Sequence, residues 1–446
     1  MKEIGWLFFL FVVALFLLAL IRPKKAFVLL FFCQPFMLTR VDEHYILSAA
    51  SIIAIGVAHL LRLLLQGKVP IFFSAKWLPI YLFLGYMILQ VLLSLVGDVG
   101  LRLSKLLLFY VFLPFFLHFV VTAAPLAPIK SALKALAVGG FLYFTLLLLV
   151  AYLAPETVLV MDRGMLRLEG FGGTHPAYVG SVVPFVVAGV IFASTVVLSG
   201  RGKRFVFVLI ASLPVAIAAI ATGSRAIVIS TLLMLILFGI ISKGMNIGKL
   251  VKVLGVGSAI AAIVVVNVNV HETPYFDRLQ SVFDEKILLE TRWLSFIAGF
   301  HMLKENYLFG IGVGNFSEES FAAFLAVADT LQHGYSARLI QSRDAALSGG
   351  GSIHFSYLFE TGILGFVMYL MMLATATMSV WRAYKKSLVE NNMALLLLLS
   401  AWIATLLHLT FVSGETHLLL WSMLGLMMCV SRNKEGNFPH CVGLKL

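Results

Sequence analysis

The sequence predicts an all-α, polytopic membrane protein of about twelve to thirteen transmembrane helices with one large extramembrane loop. Three observations predict it. The chain is 61% hydrophobic with a mean hydropathy of +1.01, well above the apolar share of a soluble domain. Apolar runs of about 18 to 22 residues recur, each able to cross about 30 Å of hydrocarbon as a helix. Strands of a membrane barrel are excluded, since those are about ten residues long and alternate in polarity.

Taken in order, the spans fall near residues 4–21, 26–39, 45–65, 77–97, 105–122, 133–153, 177–198, 205–222, 225–242, 250–268, 355–379, 394–412 and 415–431. The first resembles the apolar region of a signal peptide. No small-x-small cleavage site precedes Arg22-Pro23-Lys24-Lys25, so it reads as a retained span. The segment 26–39 is short, and whether it crosses decides the side of the N-terminus. The organisation that follows is an N-terminal set of spans (1–268), a large loop (269–354), a C-terminal set (355–431) and a tail (432–446). No internal repeat is visible, which disfavours a transporter built from two related halves.

The connections alternate in charge. Arg22, Lys24, Lys25, Arg62, Lys68, Lys76, Lys130, Lys134, Arg201, Lys203, Arg204, Lys243, Lys249, Lys252, Arg382, Lys385, Lys386, Arg432 and Lys434 fall in one set. That set has few acids, so it faces the cytoplasm by the positive-inside rule, and the tail goes with it. This distribution accounts for the formal charge of +12, and no nucleic-acid partner is needed. The other connections hold most of the Asp and Glu and face outward. Cys33, Cys429 and Cys441 are far apart with no metal spacing.

The outward set carries the residues fit for chemistry. The loop 154–175 offers Arg163, Arg167, Glu169 and His175. An Arg beside a span also serves as an interfacial anchor. Thr222-Gly223-Ser224-Arg225 opens a span, and an Arg there needs an anionic partner or must snorkel to the surface. The large loop gives Arg278 and then Arg292 at the head of a run whose apolar spacing is helical, with Leu289, Trp293, Phe296, Phe300 and Leu303 along one side. Tyr307–Phe316, YLFGIGVGNF, reads as a tight turn packing that helix on the membrane domain. It lacks the Lys-Ser/Thr of a nucleotide loop. Ser348–Gly351 leads into His354, a neutral imidazole able to take a proton near pH 7. His59, His118 and His408 lie within spans and read as packed, hydrogen-bonded residues.

Arg225, then Arg292 followed by LFGIGVGNF, then HFSYLFETGILGF together resemble the O-antigen ligase and polymerase superfamily of bacterial envelope glycosyltransferases. The resemblance covers about residues 160 to 430 and the hydropathy plan. Gly365 stands eleven positions after His354, as in ligases of that family, whereas Ile229 replaces a Leu. The resemblance implies a metal-independent, inverting transfer with no cofactor at the periplasmic face of the bacterial inner membrane. The donor is a glycan on undecaprenyl pyrophosphate, embedded among membrane lipids. The acceptor is a lipid A-core sugar for a ligase, or a second lipid-linked glycan for a polymerase. The catalytic residues expected are Arg225 and Arg292 on the pyrophosphate and His354 on the acceptor hydroxyl. Arg278, Arg167, His175 and Arg163 are expected to bind substrate. Guanidinium suits the first role, since it stays charged and pairs bidentately with phosphate oxygens. Two other classes stand as rivals: a secondary transporter, and a metal-dependent multi-span transferase using Asp42 and Glu43.

Overall fold

The computed structural model describes residues 2–38, 46–70, 77–97, 101–125, 127–162, 165–171, 176–242, 291–316, 323, 352–387, 389–411, 418–432 and 441–443. The predicted span 250–268, the residues 269–290 and Ser348–Gly351 lie outside them, as do Asp42 and Glu43. The protein is an all-α membrane bundle, as the apolar periodicity predicts. Among the described residues six helices are long and apolar enough to span, and several shorter apolar helices accompany them.

The N-terminal helices are α1 (Lys2–Ile21), α2 (Pro23–Cys33), α3 (Ile46–Leu65), α4 (Leu78–Gly97), α5 (Leu101–Ala123) and α6 (Pro128–Leu153). They continue through α7 (Pro176–Ser181), α8 (Val183–Val197), α9 (Arg201–Ala221) and α10 (Arg225–Ile241). After the large loop come α11 (Thr291–Glu305), α12 (Ile353–Lys386), α13 (Val389–His408) and α14 (Leu418–Arg432). Apolar side chains cover both inner and outer faces, so close helix packing rests on small residues rather than on water exclusion. Gly56 of α3 meets the Phe112 carbonyl of α5, Gly139 of α6 meets Phe32 just inside α2, and Gly189 of α8 meets the Leu133 carbonyl. α9 sits at the rim and turns Phe205, Leu209, Ile210 and Leu213 outward, a surface that lipid would cover.

α2 is eleven residues and is followed by a 3-10 turn at Phe36–Leu38. At its far end Gln34 Nε2 donates to Ser422 Oγ (2.8 Å), near the start of α14. Ser48 Oγ, near the start of α3, donates to the Met37 carbonyl (2.9 Å). The corner at Arg22, Lys24 and Lys25 lies at the other end of α2.

Three contacts fix the run of the later helices. Tyr384 Oη donates to the Ile241 carbonyl (3.3 Å), joining the ends of α12 and α10. Trp402 Nε1 of α13 donates to Thr377 Oγ1 of α12 (2.9 Å). His354, at the start of α12, meets Leu406 near the end of α13 (2.7 Å). So α10 and α12 run the same way, and α13 runs against both.

α12 is not one rod. Its 34 residues would measure about 51 Å if straight, far more than the hydrocarbon needs. The helix breaks at Gly362, whose φ of 65° and ψ of −171° belong to a region that only glycine visits freely. The rings of Tyr357 and Tyr369 are 4.6 Å apart, although twelve residues of straight helix would separate them by about 18 Å. The segment 353–361 therefore folds back over the bundle end, and 363–386 is long enough to span alone.

Two short antiparallel sheets lie outside this plan. β1 (Lys68–Pro70) pairs with β4 (Cys441–Gly443), and β2 (Leu159–Asp162) pairs with β3 (Met165–Leu168). The second is a hairpin between α6 and α7, where the sequence predicts only a loop.

Candidate active site

The last turn of α13 is where the site assembles. The final carbonyls of a helix have no partner within it. Leu406 presents one of them, and His354 Nε2 lies 2.7 Å from it. A carbonyl only accepts, so Nε2 carries the proton and donates. Nδ1 then keeps the lone pair and accepts from Tyr369 Oη at 2.8 Å. Tyr369 is fully buried, in an aromatic cluster with Phe83 and Tyr357, while His354 is half-buried. Ser352 caps this helix start and accepts from the Phe355 N–H.

Two residues further along α13, His408 Nδ1 lies 3.3 Å from Ser230 Oγ in the second turn of α10. A methyl group on Gly180 of α7 would run into Ile227 and His408, so that glycine lets α7 close on both. The start of α10, with Arg225 as its first residue, thus adjoins the same turn of α13 as His354.

The corner ahead of Arg225 is built in detail. Thr222 Oγ1 donates to the Ala219 carbonyl (2.7 Å), and Ser224 N donates to Thr222 Oγ1 (3.3 Å). Gly223 turns the chain at φ 63°. Arg167 of β3 donates from Nε to the Thr222 carbonyl at 3.0 Å, and its side chain is buried. So the hairpin β2–β3 braces the end of α9 at Thr222, three residues before α10 begins. The sequence offers Arg167 as a substrate contact, and the structure ties its Nε to this corner.

α11, which carries Arg292, packs against the start of α12. It lies along the folded-back segment of α12, with Phe296 against Phe355 (4.6 Å) and Phe300 against Phe359 (5.3 Å). Arg292 is one turn before Phe296, at the head of α11. The buried face is Ser295, Ala298 and Met302, and Phe300 is half exposed. Of the expected stripe, Phe296 and Leu303 pack at the margin of this face and Leu289 lies outside the described residues. Small Ala298 and Gly299 allow the close approach, and a Cβ on Gly299 would strike the Phe359 ring.

The elbow at Gly362 is zipped to the glycine-rich turn after α11. The N–H groups of Ile311 and Gly312 donate to the carbonyls of Phe359 and Glu360 (3.1 and 2.9 Å). Those of Ile363 and Leu364 donate to Tyr307 and Leu308 (2.9 and 3.3 Å). A Cβ on Gly310 would stand 2.5 Å from the Glu360 carbonyl. Gly310, Gly312 and Gly314 have φ of 74°, 91° and 86°. The tight turn expected there is the glycine turn that packs into the break.

This break bears on the transporter rival, which needs interrupted helices with freed backbone groups lining an ion path. Here the freed carbonyls of Phe359, Glu360 and Thr361 take protein donors, the last from Tyr86 Oη (2.9 Å). His59 and His118 face each other across 2.7 Å, as packed helix residues do. Among the described residues no group of His, Cys, Asp or Glu could hold a metal ion.

Arg163, His175 and Arg278 lie outside the described residues. The starts of α10 and α12, which carry Arg225 and His354, meet the last turn of α13, and α11, with Arg292 at its head, packs on the start of α12 through Phe296 and Phe355. Tyr369 and Leu406 escape a sequence reading, because each is defined by a partner distant along the chain. No curated protein matches the chain. Residues 205–370, which hold all three of these helix starts, match the family model for O-antigen ligase.

Proposed function

We propose that the protein is a glycosyltransferase of the ligase type that moves a glycan from undecaprenyl pyrophosphate to a sugar hydroxyl of a lipid A-core acceptor. The site would face the periplasm from the bacterial inner membrane. The observation that supports this reading is that the starts of α10 and α12 meet the last turn of α13 while α11 packs on the start of α12, all inside the segment that matches the ligase model. The sidedness draws support from Lys130 and Lys134 at the start of α6 and Lys385 and Lys386 at the end of α12, the basic corners of the bundle.

The chemistry follows from charge. The acceptor oxygen forms a bond to the anomeric carbon as the bond from that carbon to phosphate oxygen breaks, with inversion. Negative charge grows on the departing pyrophosphate, and guanidinium groups at Arg225 and Arg292 stabilise it without taking or giving a proton. The acceptor proton goes to His354. The Leu406 carbonyl holds the ring in the Nε2–H form, leaving Nδ1 basic, much as a hydrogen bond to one imidazole nitrogen fixes the role of the other. Tyr369 occupies Nδ1 at rest, so its hydroxyl must turn aside as the acceptor arrives. Arg278, Arg163 and His175 would add contacts to the sugar or phosphate, and Arg167 would act through the corner it braces.

The test is to incubate purified protein with an undecaprenyl-pyrophosphate glycan, with and without a core-lipid acceptor, in the presence of EDTA. Glycan joined to the core lipid is the expected product. Longer lipid-linked glycan made without core lipid would mark a polymerase, and loss of transfer in EDTA would mark a metal-dependent enzyme.

A further inference from the structure

The elbow of α12 is also fastened to the bundle from the side, by α4. Gln90 of α4 is buried and its side-chain nitrogen makes two hydrogen bonds. One goes to Tyr86 Oη (2.7 Å) and the other to the Phe309 carbonyl in the glycine-rich turn (3.1 Å). Tyr86 in turn donates to the Thr361 carbonyl (2.9 Å), the residue before the break. A single amide thus holds both strands of the joint, the turn that follows α11 and the elbow of α12. An amide in an apolar helix face needs such partners, because each unmade bond there is costly.

The consequence concerns placement. α11 and the segment 353–361 form a layer that carries Arg292 and His354, whereas Arg225 belongs to the bundle through α10. We propose that Gln90 is a positioning residue for transfer: by pinning the joint to α4, it fixes that layer, and so Arg292 and His354, against Arg225. This rests on the reading of those three residues as the transfer groups. Gln90 itself touches neither substrate nor reacting atoms. A displacement of about 1 Å in such a site can cost on the order of a hundredfold in rate.

The experiment uses the full chain in nanodiscs with Gln90→Met, which keeps the volume and removes the bonds to Tyr86 and Phe309, and Tyr86→Phe, which removes the bonds to Gln90 and Thr361 and keeps that to Phe309. Hydrogen exchange is read on peptides covering Ile311, Gly312, Ile363 and Leu364, the amides that cross the joint. These should exchange about tenfold faster in Gln90→Met, with α13 and α14 unchanged. Transfer kcat should fall about tenfold to a hundredfold while the donor KM stays within about twofold. In an Arg292→Lys background the same change should cost much less, whereas a merely structural role would lower both backgrounds by one factor. Unchanged exchange across the joint in both variants, or faster exchange with unchanged kcat, would overturn the positioning role alone. Full transfer by Arg292→Ala and His354→Ala would overturn the assignment of the transfer groups and the positioning role with it.

Discussion

His354 donates from Nε2 to the Leu406 carbonyl across 2.7 Å, so the start of one helix supplies the partner that the end of another lacks. Arg167 does the same for α9 through the Thr222 carbonyl. Basic side chains at the negative end of a helix dipole are favoured there. In both cases the bond also fixes the surroundings of a residue expected to meet the pyrophosphate or the acceptor.

The arginines give the first prediction. Arg225→Ala and Arg292→Ala should each lower transfer about a hundredfold to a thousandfold, the range for losing one preorganised donor. Arg292→Lys should also be poor, because a point charge does not replace a planar fork. Product formation from a lipid-linked donor, normalised to folded protein in detergent, checks this.

The imidazole gives the second. His354→Ala should lose about a hundredfold or more, the scale of a general base. Tyr369→Phe leaves the ring bonded to Leu406 and frees Nδ1, so it should keep transfer within a few-fold of wild type. Near wild-type transfer by His354→Ala would end the catalytic role for that residue, and loss in Tyr369→Phe equal to that in His354→Ala would show that the hydroxyl is needed.

The elbow gives the third. Gly362→Ala places a side chain at φ 65° and against the Leu308 carbonyl. The strain alone is about 1–3 kcal/mol. The variant should unfold at a lower temperature than Gly85→Ala, since a Cβ at Gly85 meets nothing within 4 Å. Thermal unfolding of both in one detergent makes the comparison.

The brace gives the fourth. Arg167→Met removes the Nε donor from a buried carbonyl, at a cost of about 1–3 kcal/mol. Because the corner leads directly into Arg225, transfer should fall along with stability. Arg167→Lys should recover part of the stability and less of the transfer. Full transfer by Arg167→Met would show that the corner holds its shape without the hairpin.

Much of the architecture was legible in the chain. A run of twenty apolar residues has few options in a bilayer, so α3, α4, α6 and α10 fall within a few residues of the expected spans. What escaped is structure made by distant partners. Gly-x-Gly-x-Gly at 310–314 announces a turn, but nothing in it names Phe359 or Ile363 as the other half of the joint. The apolar run through Phe355 reads as one span because an elbow made by a single glycine leaves hydropathy untouched. Arg167 looks like any loop arginine until a short hairpin carries it to Thr222. Arg225, Arg292 and His354 draw the eye as candidates, since a cation or imidazole at the head of an apolar segment stands out against its surroundings, whereas a tyrosine such as Tyr369 does not.

The zipped elbow has one more consequence. Main-chain bonds close the joint on both sides of Gly362: Ile311 and Gly312 donate into one arm of α12, and Ile363 and Leu364 of the other arm donate back. Both arms are thus braced against one turn, and the bend cannot straighten without parting four bonds at once.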